Sequence, residues 1–249
     1  MRIIISPTKK MRVDTDTFSC KGLPPFMDKT AVLLDVLKTL DREELKRLWG
    51  CSDKLVEQNM ERLHRMEPEY AQTPAIMAYE GIQFQYMAPA VFTEDALDYV
   101  QDHLRILSGF YGMVRHFDAI TPYRLEMQSK LRVGETRDLY GFWEDLLACS
   151  LYRETDCVIN LASKEYSRCV DPFIPKGKRF ITCGFTERKN GKLVEKGTLC
   201  KMARGEMVRY LAESGIISPE QVKNFTGLGY RFSAPDSTEN HFIFIKEDM

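Results

Sequence analysis

Three short apolar runs that lie far apart in the chain constrain its fold most strongly. They cover residues 2–5, 104–107 and 157–161. Each run is rich in aliphatic side chains and ends at turn or capping residues, which is typical of buried strands. Further strands are predicted at 180–186, 229–233 and 241–246. Helical patterns separate the strands at irregular intervals, so we expect an α+β fold in which helices surround a mixed sheet core, not a regular doubly wound sheet.

The longest helical pattern covers residues 28–67, which we expect to form a helical subregion of a single domain spanning residues 1–249. Asp28, Asp41 and Ser52 are the predicted N-caps of three successive helices there. Farther along, the pattern predicts one amphipathic helix over 138–152, whereas 75–81 is expected to be a strand leading into a turn.

Length and residue usage favour a protein of the cytoplasm. No window of about 18 apolar residues is present, so no membrane partner is expected, and the N-terminus has no apolar segment long enough for a signal peptide. The seven cysteines are odd in number and irregularly spaced, which favours reduced thiols. The four histidines lack metal-ligand spacing, so we expect neither a metal nor another cofactor.

The standard catalytic and nucleotide-binding motifs are missing. Neither a Walker loop nor Gly-x-Gly-x-x-Gly occurs. The segment 108–112 lacks the first glycine of the nucleophile elbow, so a serine hydrolase is not supported. Whether the chain is an enzyme stays open at this point.

The net charge of -1 conceals a polarised chain. Residues 1–12 carry four basic and no acidic side chains, 164–204 carry 11 basic and 4 acidic ones, and 135–156 carry 2 basic and 6 acidic ones. Two basic stretches can line one cleft and attract phosphate groups or nucleic acid. The alternative for the charges around Arg188 is that they only solvate a hairpin, whose turn is predicted at Asn190-Gly191.

Residues 45–55 have the pattern helix, short glycine-containing turn, helix. Helix-hairpin-helix modules of this form bind duplex DNA without reading its sequence, because backbone N–H groups of the turn and of the second helix meet phosphate oxygens. Gly50, Ser52 and Lys54 occupy the corresponding positions. The alternative is an ordinary helix pair, and the excess of acidic side chains over 28–61, 8 against 6 basic ones, favours it.

Two polar segments supply candidate site residues. After Pro122 the chain is expected to be extended, so that Arg124 and Glu126 share one face while Leu125 and Met127 share the other. The second segment contains Asn160, Ser163, Lys164 and Tyr166 and follows the strand predicted at 157–161. Polar residues where a buried strand meets a helix are typical of functional sites. The alternative is that Ser163 caps the helix beside a buried asparagine.

Several linked motifs resemble those of one known family. They are Ile5-Ser6-Pro7-Thr8-Lys9-Lys10-Met11, Pro74-Ala75-Ile76-x-x-Tyr79-x-Gly81, 105–112, Pro122-Tyr123-Arg124-Leu125-Glu126-Met127, 139–143, 160–166 and Ala203-Arg204-Gly205. In this order and over the length of the chain, they closely resemble the YaaA family of bacterial peroxide-stress proteins. The resemblance implies a cytoplasmic protein that limits peroxide damage and intracellular free iron. It also implies an α+β fold with a helix-hairpin-helix element, a positively charged cleft and affinity for duplex DNA.

The resemblance, together with the patterns above, assigns candidate residues to the site. It places the hairpin at 50–54. The candidates for binding DNA or phosphate are Lys9, Lys10, Gly50, Ser52, Lys54, Arg124, Lys130, Lys164, Lys201 and Arg204. Further cleft residues are Tyr79, Arg105, Glu126, Asn160, Ser163 and Tyr166, and the candidates for a catalytic role are Glu126, Lys130 and Tyr166.

We therefore predict a peroxide-stress protein that binds duplex or structured DNA with low sequence specificity and limits iron-mediated peroxide damage. The alternative is an enzyme that acts on a nucleotide-like or phosphate-bearing substrate in the same polar cleft. Direct iron coordination is a third hypothesis, but the potential ligands are scattered, so an indirect effect on iron is expected.

Overall fold

The computed structural model describes residues 1–247. Its strands are β1 (Arg2–Ile5), β2 (Lys10–Met11), β3 (Thr73–Pro74), β4 (Tyr79–Glu80), β5 (Leu104–Ser108), β6 (Gly112–Val114), β7 (Ala119–Ile120), β8 (Cys157–Leu161), β9 (Arg179–Lys189), β10 (Lys192–Val194), β11 (Tyr230–Phe232) and β12 (His241–Lys246). Its α-helices are α1 (Met27–Thr39), α2 (Arg42–Trp49), α3 (Asp53–His64), α4 (Ala75–Ala78), α5 (Ile82–Met87), α6 (Glu94–His103), α7 (Leu139–Trp143), α8 (Leu146–Glu154), α9 (Lys164–Ser167) and α10 (Gly197–Glu213).

The main sheet is mixed, which confirms the predicted α+β class. Its strand order is β11-β12-β9-β8-β1-β5-β6. The five strands from β12 to β5 are parallel to their neighbours, whereas β11 and β6 run antiparallel at the two ends. β10 folds back on β9 as an antiparallel hairpin, whose turn is at Asn190 and Gly191 as predicted. Both turn residues have positive φ, 49° and 76°, which fits this residue pair.

The three apolar runs of the sequence form the centre of this sheet. β1 lies between β5 and β8, and Ile3, Ile4 and Ile5 are fully buried. Strands with helices on both faces carry continuous apolar runs and not alternating ones. The N-terminal strand is therefore a core element.

Helices α1, α2 and α3 occupy most of the predicted helical subregion. Asp41 and Glu44 form a capping box at the start of α2, in which each side chain accepts a hydrogen bond of 2.9 Å from the other residue's backbone N–H. Gly50 ends α2 in the left-handed conformation with φ of 53°, where a glycine has no Cβ to strain. A helix, a short turn and a second helix are therefore present at the predicted place.

One of the predicted caps is wrong. α1 begins at Met27, so Asp28 lies inside its first turn, where its carboxylate is favourable for the helix dipole. Ser52 is the N-cap residue of α3, as predicted, although its side chain makes no cap hydrogen bond.

The helix predicted over 138–152 is broken in two. Glu144 has a φ of 43° and separates α7 from α8. Leu139 and Trp143 before the break and Leu147 after it are all fully buried. Because the four-residue spacing of these side chains continues across Glu144, the apolar pattern does not reveal the interruption.

The strand predicted over 75–81 is also wrong in part. Residues 75–78 form the single turn α4, and only Tyr79 and Glu80 are in a strand. All four residues of α4 are buried, so this segment has no alternation by which a turn of helix and a strand can be told apart. No helix within residues 1–247 is both long and apolar enough to cross a membrane.

Candidate functional site

The candidate site is a cleft of about 450 Å³ beyond the carboxyl end of β1. Its walls come from residues 6–10 after β1, 163–166 after β8, 80–83 at the start of α5, the extended segment 123–126, and α10. The carboxyl ends of parallel strands meet at one edge of a sheet, which is the usual position of ligand sites in such sheets. The cleft thus brings together both basic stretches of the sequence.

Ser6 joins the two strand ends that open into the cleft. The backbone N–H of Ser163 donates a hydrogen bond to Ser6 Oγ at 2.8 Å, and the Ser6 hydroxyl donates to Ser163 Oγ at 3.1 Å. Ser163 occupies the N-cap position of α9, but its own side chain makes no cap hydrogen bond. Ser163 is therefore at the predicted cap position, but its hydroxyl is bonded to the motif residue Ser6 and not to the helix.

Arg124 and Glu126 lie on one face of an extended segment, as predicted. Leu125 and Met127 are buried on the other face, and Arg124 Nη2 lies 3.8 Å from Glu126 Oε1. Gly109 permits this arrangement, because a Cβ there would lie 2.6 Å from the carbonyl oxygen of Leu125. The glycine therefore positions the segment that carries the two charged side chains.

Helices α5 and α10 pack backbone against backbone at Gly205. A Cβ on Gly205 would lie 2.1 Å from the carbonyl oxygen of Gln83, a distance that no side chain tolerates. The close contact holds Arg204 of α10 and Gln83 of α5 in the same wall of the cleft. The motif 203–205 thus combines a cleft cation with the glycine that positions it.

Acidic side chains neutralise part of the positive charge of the cleft. Two ion pairs lie there, Lys9 with Glu126 and Lys10 with Glu80, with N–O distances of 2.8 and 2.9 Å. Lys201 and Arg204 also line the cleft, and within residues 1–247 neither has an acidic side chain within 4 Å. The uncompensated positive charge is therefore concentrated on the wall formed by α10.

Glu165 is a third carboxyl group in the cleft, beside Glu80 and Glu126. Burial raises its pKa, and the negative charge of Glu126 adds to this, although its Oε1 accepts a hydrogen bond of 3.3 Å from the backbone N–H of Gln128. The carboxyl groups of the cleft are therefore in different environments, two of them ion-paired with lysines and the third with a raised pKa. Such a difference is a common basis for acid–base chemistry.

Among residues 1–247, three donors in the cleft wall are buried without an acceptor. They are Arg124 Nε, Arg204 Nε and Gln83 Nε2. Buried N–H donors are nearly always paired, and exceptions occur at functional sites. Sequence reasoning missed Gln83, which lies two residues beyond the motif glycine Gly81 on a six-residue helix too short to show a pattern.

A second depression of about 610 Å³ adjoins the cleft and extends to the α2–α3 turn. Lys9 and Glu126 line both depressions. Arg124 links them further, since its Nη2 donates a hydrogen bond of 3.4 Å to the carbonyl oxygen of Trp49. Gly50 and Lys130 line the second depression, so the predicted hairpin and the predicted cleft lie side by side.

Comparison with known proteins identifies the family. A family model described as peroxide stress protein YaaA matches residues 1–236. The chain belongs to the YaaA family. It is 50% identical over 244 residues to a UPF0246 protein of Agathobacter rectalis, covering 98% of each chain. It is also 50% identical over 246 residues to a UPF0246 protein of Lactobacillus johnsonii, covering 99% of this chain and 98% of the relative.

Several residues that the YaaA-family resemblance assigned to the cleft lie elsewhere. Arg105 is only 3% exposed at the start of β5, where it pairs with Glu154 away from the cleft. Asn160 is buried and packs β8 against β9, because its Nδ2 donates to Thr182 Oγ1 at 3.1 Å. Tyr79 is buried behind the cleft wall. None of the three lines the cleft.

The remaining candidates of the YaaA-family site are divided between two surfaces. Lys9, Lys10, Arg124, Glu126, Ser163, Tyr166, Lys201 and Arg204 line the cleft. Lys164 is exposed at the start of α9 and lines neither depression. Ser52 and Lys54 are exposed beside the start of α3. There Asp53 pairs with Arg42 and Lys46, at 2.7 and 2.8 Å, so these two basic side chains are already neutralised.

Six thiols of this YaaA-family chain have a raised pKa. All seven cysteines are free. Desolvation raises the pKa of Cys20, Cys149, Cys157, Cys169, Cys183 and Cys200, to about 12 for Cys169 and Cys183. Thiolates are the reactive form of cysteine, so these six thiols are poor nucleophiles at neutral pH. In the described part of the chain, no three His, Cys, Asp or Glu side chains are grouped as metal ligands.

Proposed function

We propose that this chain is a cytoplasmic protein that protects the cell during peroxide stress by binding duplex DNA with low sequence specificity. Family membership supports the stress-response role. One observation carries the DNA-binding proposal: the basic cleft and the depression at the α2–α3 turn adjoin and share Lys9 and Glu126 in their walls. A phosphate backbone can therefore follow both surfaces.

Both adjoining surfaces carry cations that have no acidic partner among the described residues. Lys201 and Arg204 line the cleft. Arg47, Lys130 and Arg132 line the depression at the turn, and no acidic side chain of residues 1–247 lies within 4 Å of any of them. Contacts of this kind neutralise phosphates without reading bases, which favours binding of low sequence specificity.

The α2–α3 turn is proposed to position the duplex mainly through its backbone. Asp53 puts a carboxylate at the first position of α3, and Arg42 and Lys46 bind that carboxylate. These two basic side chains are therefore already paired, whereas Lys54 has no acidic partner within 4 Å among residues 1–247. The Gly50 N–H is bonded to the carbonyl oxygen of Lys46, so the proposed contact is made by the backbone at the start of α3, in the manner of a helix-hairpin-helix element.

The proposed effect on iron is indirect. Two of the three carboxyl groups of the cleft are already engaged, Glu126 with Lys9 and Glu80 with Lys10, and burial raises the pKa of the third, Glu165. Protection of DNA from iron-mediated damage therefore rests, in this proposal, on occupancy of the DNA and not on coordination of the metal.

A salt titration tests the DNA-binding proposal. The affinity for a duplex should fall linearly on a logarithmic scale with salt concentration. Lys201→Ala should weaken binding to duplexes of every sequence tested. It should also reduce the slope of log affinity against log salt concentration by about one unit, because one phosphate contact is lost. Lys192→Ala is the matched control, since Lys192 is exposed on β10 and lines neither depression. Failure to bind any duplex at low salt would overturn the proposal.

A second candidate function is catalysis on a nucleotide-like or phosphate-bearing substrate. The difference between Glu126 and Glu165 favours it, since one carboxyl is ion-paired and burial raises the pKa of the other. Glu126→Gln should then abolish turnover of the substrate while duplex binding persists, as judged by product analysis after incubation with nucleotides. If every cellular and biochemical activity survives this substitution, Glu126 has no catalytic role.

A further inference from the structure

We propose that the wall of the cleft formed by α5, α10 and Arg124 is a binding site for one phosphomonoester group. The inference rests on the proposed function in one respect, that this cleft is where phosphate binds. It goes further in naming the kind of phosphate: the terminal group of a nucleotide or of a strand end, and not an internal phosphodiester.

Unpartnered donors define the site. Gln83 is only 6% exposed, lines the cleft and has no acceptor for its Nε2 within residues 1–247. Arg124 Nε and Arg204 Nε lack acceptors as well, and both side chains line the same cleft. Desolvated donors without acceptors are unfavourable in the free protein. A ligand rich in acceptor oxygens relieves this cost after small rotations of the three side chains.

The number of acceptor oxygens favours a phosphomonoester over a phosphodiester. A phosphomonoester has three charged non-bridging oxygens, all strong acceptors, whereas an internal phosphodiester has two. Within residues 1–247, three side chains in the wall each have one donor without an acceptor. Each of these donors can therefore meet a separate oxygen of a phosphomonoester, whereas two of them must share one oxygen of a phosphodiester.

The charge of the wall leads to the same conclusion. Arg124 shares its charge with Glu126, whereas Lys201 and Arg204 have no acidic partner among the described residues. Two uncompensated positive charges match a phosphomonoester, which carries nearly two negative charges at neutral pH. A phosphodiester carries one and leaves a cation unpaired.

The rest of the cleft has room for the organic part of such a ligand. Ile82, Leu125 and Tyr166 also line it, and Tyr166 offers an aromatic ring beside the wall. A volume of about 450 Å³ is within the range of small-molecule pockets, roughly 300–1,000 Å³. A nucleoside can therefore occupy the cleft while its phosphate lies at the wall.

Titration with a mononucleotide and its nucleoside tests the proposal on the unmodified protein. Adenosine 5′-monophosphate should bind at least tenfold more tightly than adenosine, as measured by calorimetry, and inorganic phosphate should compete with it. Arg204→Gln should weaken nucleotide binding at least tenfold. Arg209→Gln is the control, because Arg209 lies on the same helix but pairs with Glu213 at 2.9 Å. Equal affinity for nucleotide and nucleoside would overturn the inference.

DNA with different ends distinguishes the two sources of a phosphomonoester. Tighter binding of linear duplexes with 5′-phosphate than with 5′-hydroxyl ends would support a strand end as the ligand. Equal binding of both duplexes, with tight binding of the mononucleotide, would support a free nucleotide. Covalently closed circular DNA separates this inference from the proposed function. If the protein binds the mononucleotide but neither circular nor linear DNA at low salt, the proposed function in duplex binding is wrong and the phosphomonoester site stands.

Discussion

Glu154 balances the positive charge at the amino ends of β1 and β5. Its Oε2 accepts hydrogen bonds from Arg2 Nε at 2.9 Å and from Arg105 Nε at 3.1 Å. Burial acts to raise the pKa of Glu154, but these hydrogen bonds and the charge of Arg105 outweigh it, so its pKa is lowered. Because the pKa of Glu154 is lower in the folded protein than in the unfolded chain, its ionised carboxylate stabilises the fold at pH values above its pKa in the unfolded chain. This stabilisation is lost as the pH falls through the pKa of Glu154 in the folded protein.

Glu154→Gln should therefore destabilise the protein by about 3–5 kcal/mol at pH 7, because it leaves Arg105 buried without a counter-charge. The difference from the wild-type protein should shrink as the pH falls below the ordinary glutamate pKa of about 4.3. Urea denaturation at pH 7 and pH 3 measures both effects. Glu213→Gln, which removes only an exposed partner of Arg209, should cost less than about 1 kcal/mol. Equal losses for the two variants would contradict this account.

At the scale of elements, the contact between α5 and α10 links stability to the cleft. Gly205→Ala forces a Cβ against the carbonyl oxygen of Gln83, and rigid backbone lies on both sides of the contact. We expect a loss of about 1–3 kcal/mol of unfolding free energy, typical of overpacking, together with weaker ligand binding as Gln83 and Arg204 separate.

Gly197→Ala is the matched control for this substitution. Gly197 begins the same helix, and a Cβ added there meets no atom within 4 Å. Alanine at such a position should leave stability unchanged or raise it by about 0.4–1 kcal/mol. Chemical denaturation and nucleotide or duplex titration of both variants measure the two effects. Similar behaviour of the two would show that the α5–α10 contact does not position the cleft.

Helices and strands could be predicted from the sequence where burial gives their apolar side chains a regular spacing or a continuous run. The central strands and α1–α3 show clear runs or periodicity, and Asn190-Gly191 specifies its turn. The break at Glu144 was not predictable, because buried side chains continue at the same spacing on both sides of it. Arg105 was misplaced for a different reason: its motif lies on a central strand, and the sequence does not say which end of that strand faces the site. Gln83 could be recognised as a site residue only from the structure, in which its Nε2 has no acceptor within residues 1–247.

At the scale of the whole molecule, the cleft depends on the complete fold. Its walls come from segments between Ser6 and Arg204, so the unfolded chain does not contain it. A ligand that binds only the folded state stabilises the protein by about 2.7 kcal/mol at a concentration of 100 times Kd.

A duplex oligonucleotide at that concentration should therefore raise Tm by about 5–10 °C for a chain of this size. Differential scanning fluorimetry measures the shift, and Arg204→Gln should reduce it. If the duplex binds without changing Tm, it has equal affinity for the folded and the unfolded chain. That result would contradict the cleft as the binding site, because only the folded protein contains the cleft.

The central position of β1 also has a consequence for synthesis. Ile3, Ile4 and Ile5 leave the ribosome long before their partners in β5 and β8, which begin at residues 104 and 157. An apolar segment therefore remains without one of its sheet neighbours while about 150 further residues are translated. Nascent chains with exposed apolar segments are prone to aggregate and are typical clients of chaperones. The yield of this protein should thus depend on how well β1 is shielded until β5 and β8 have been made.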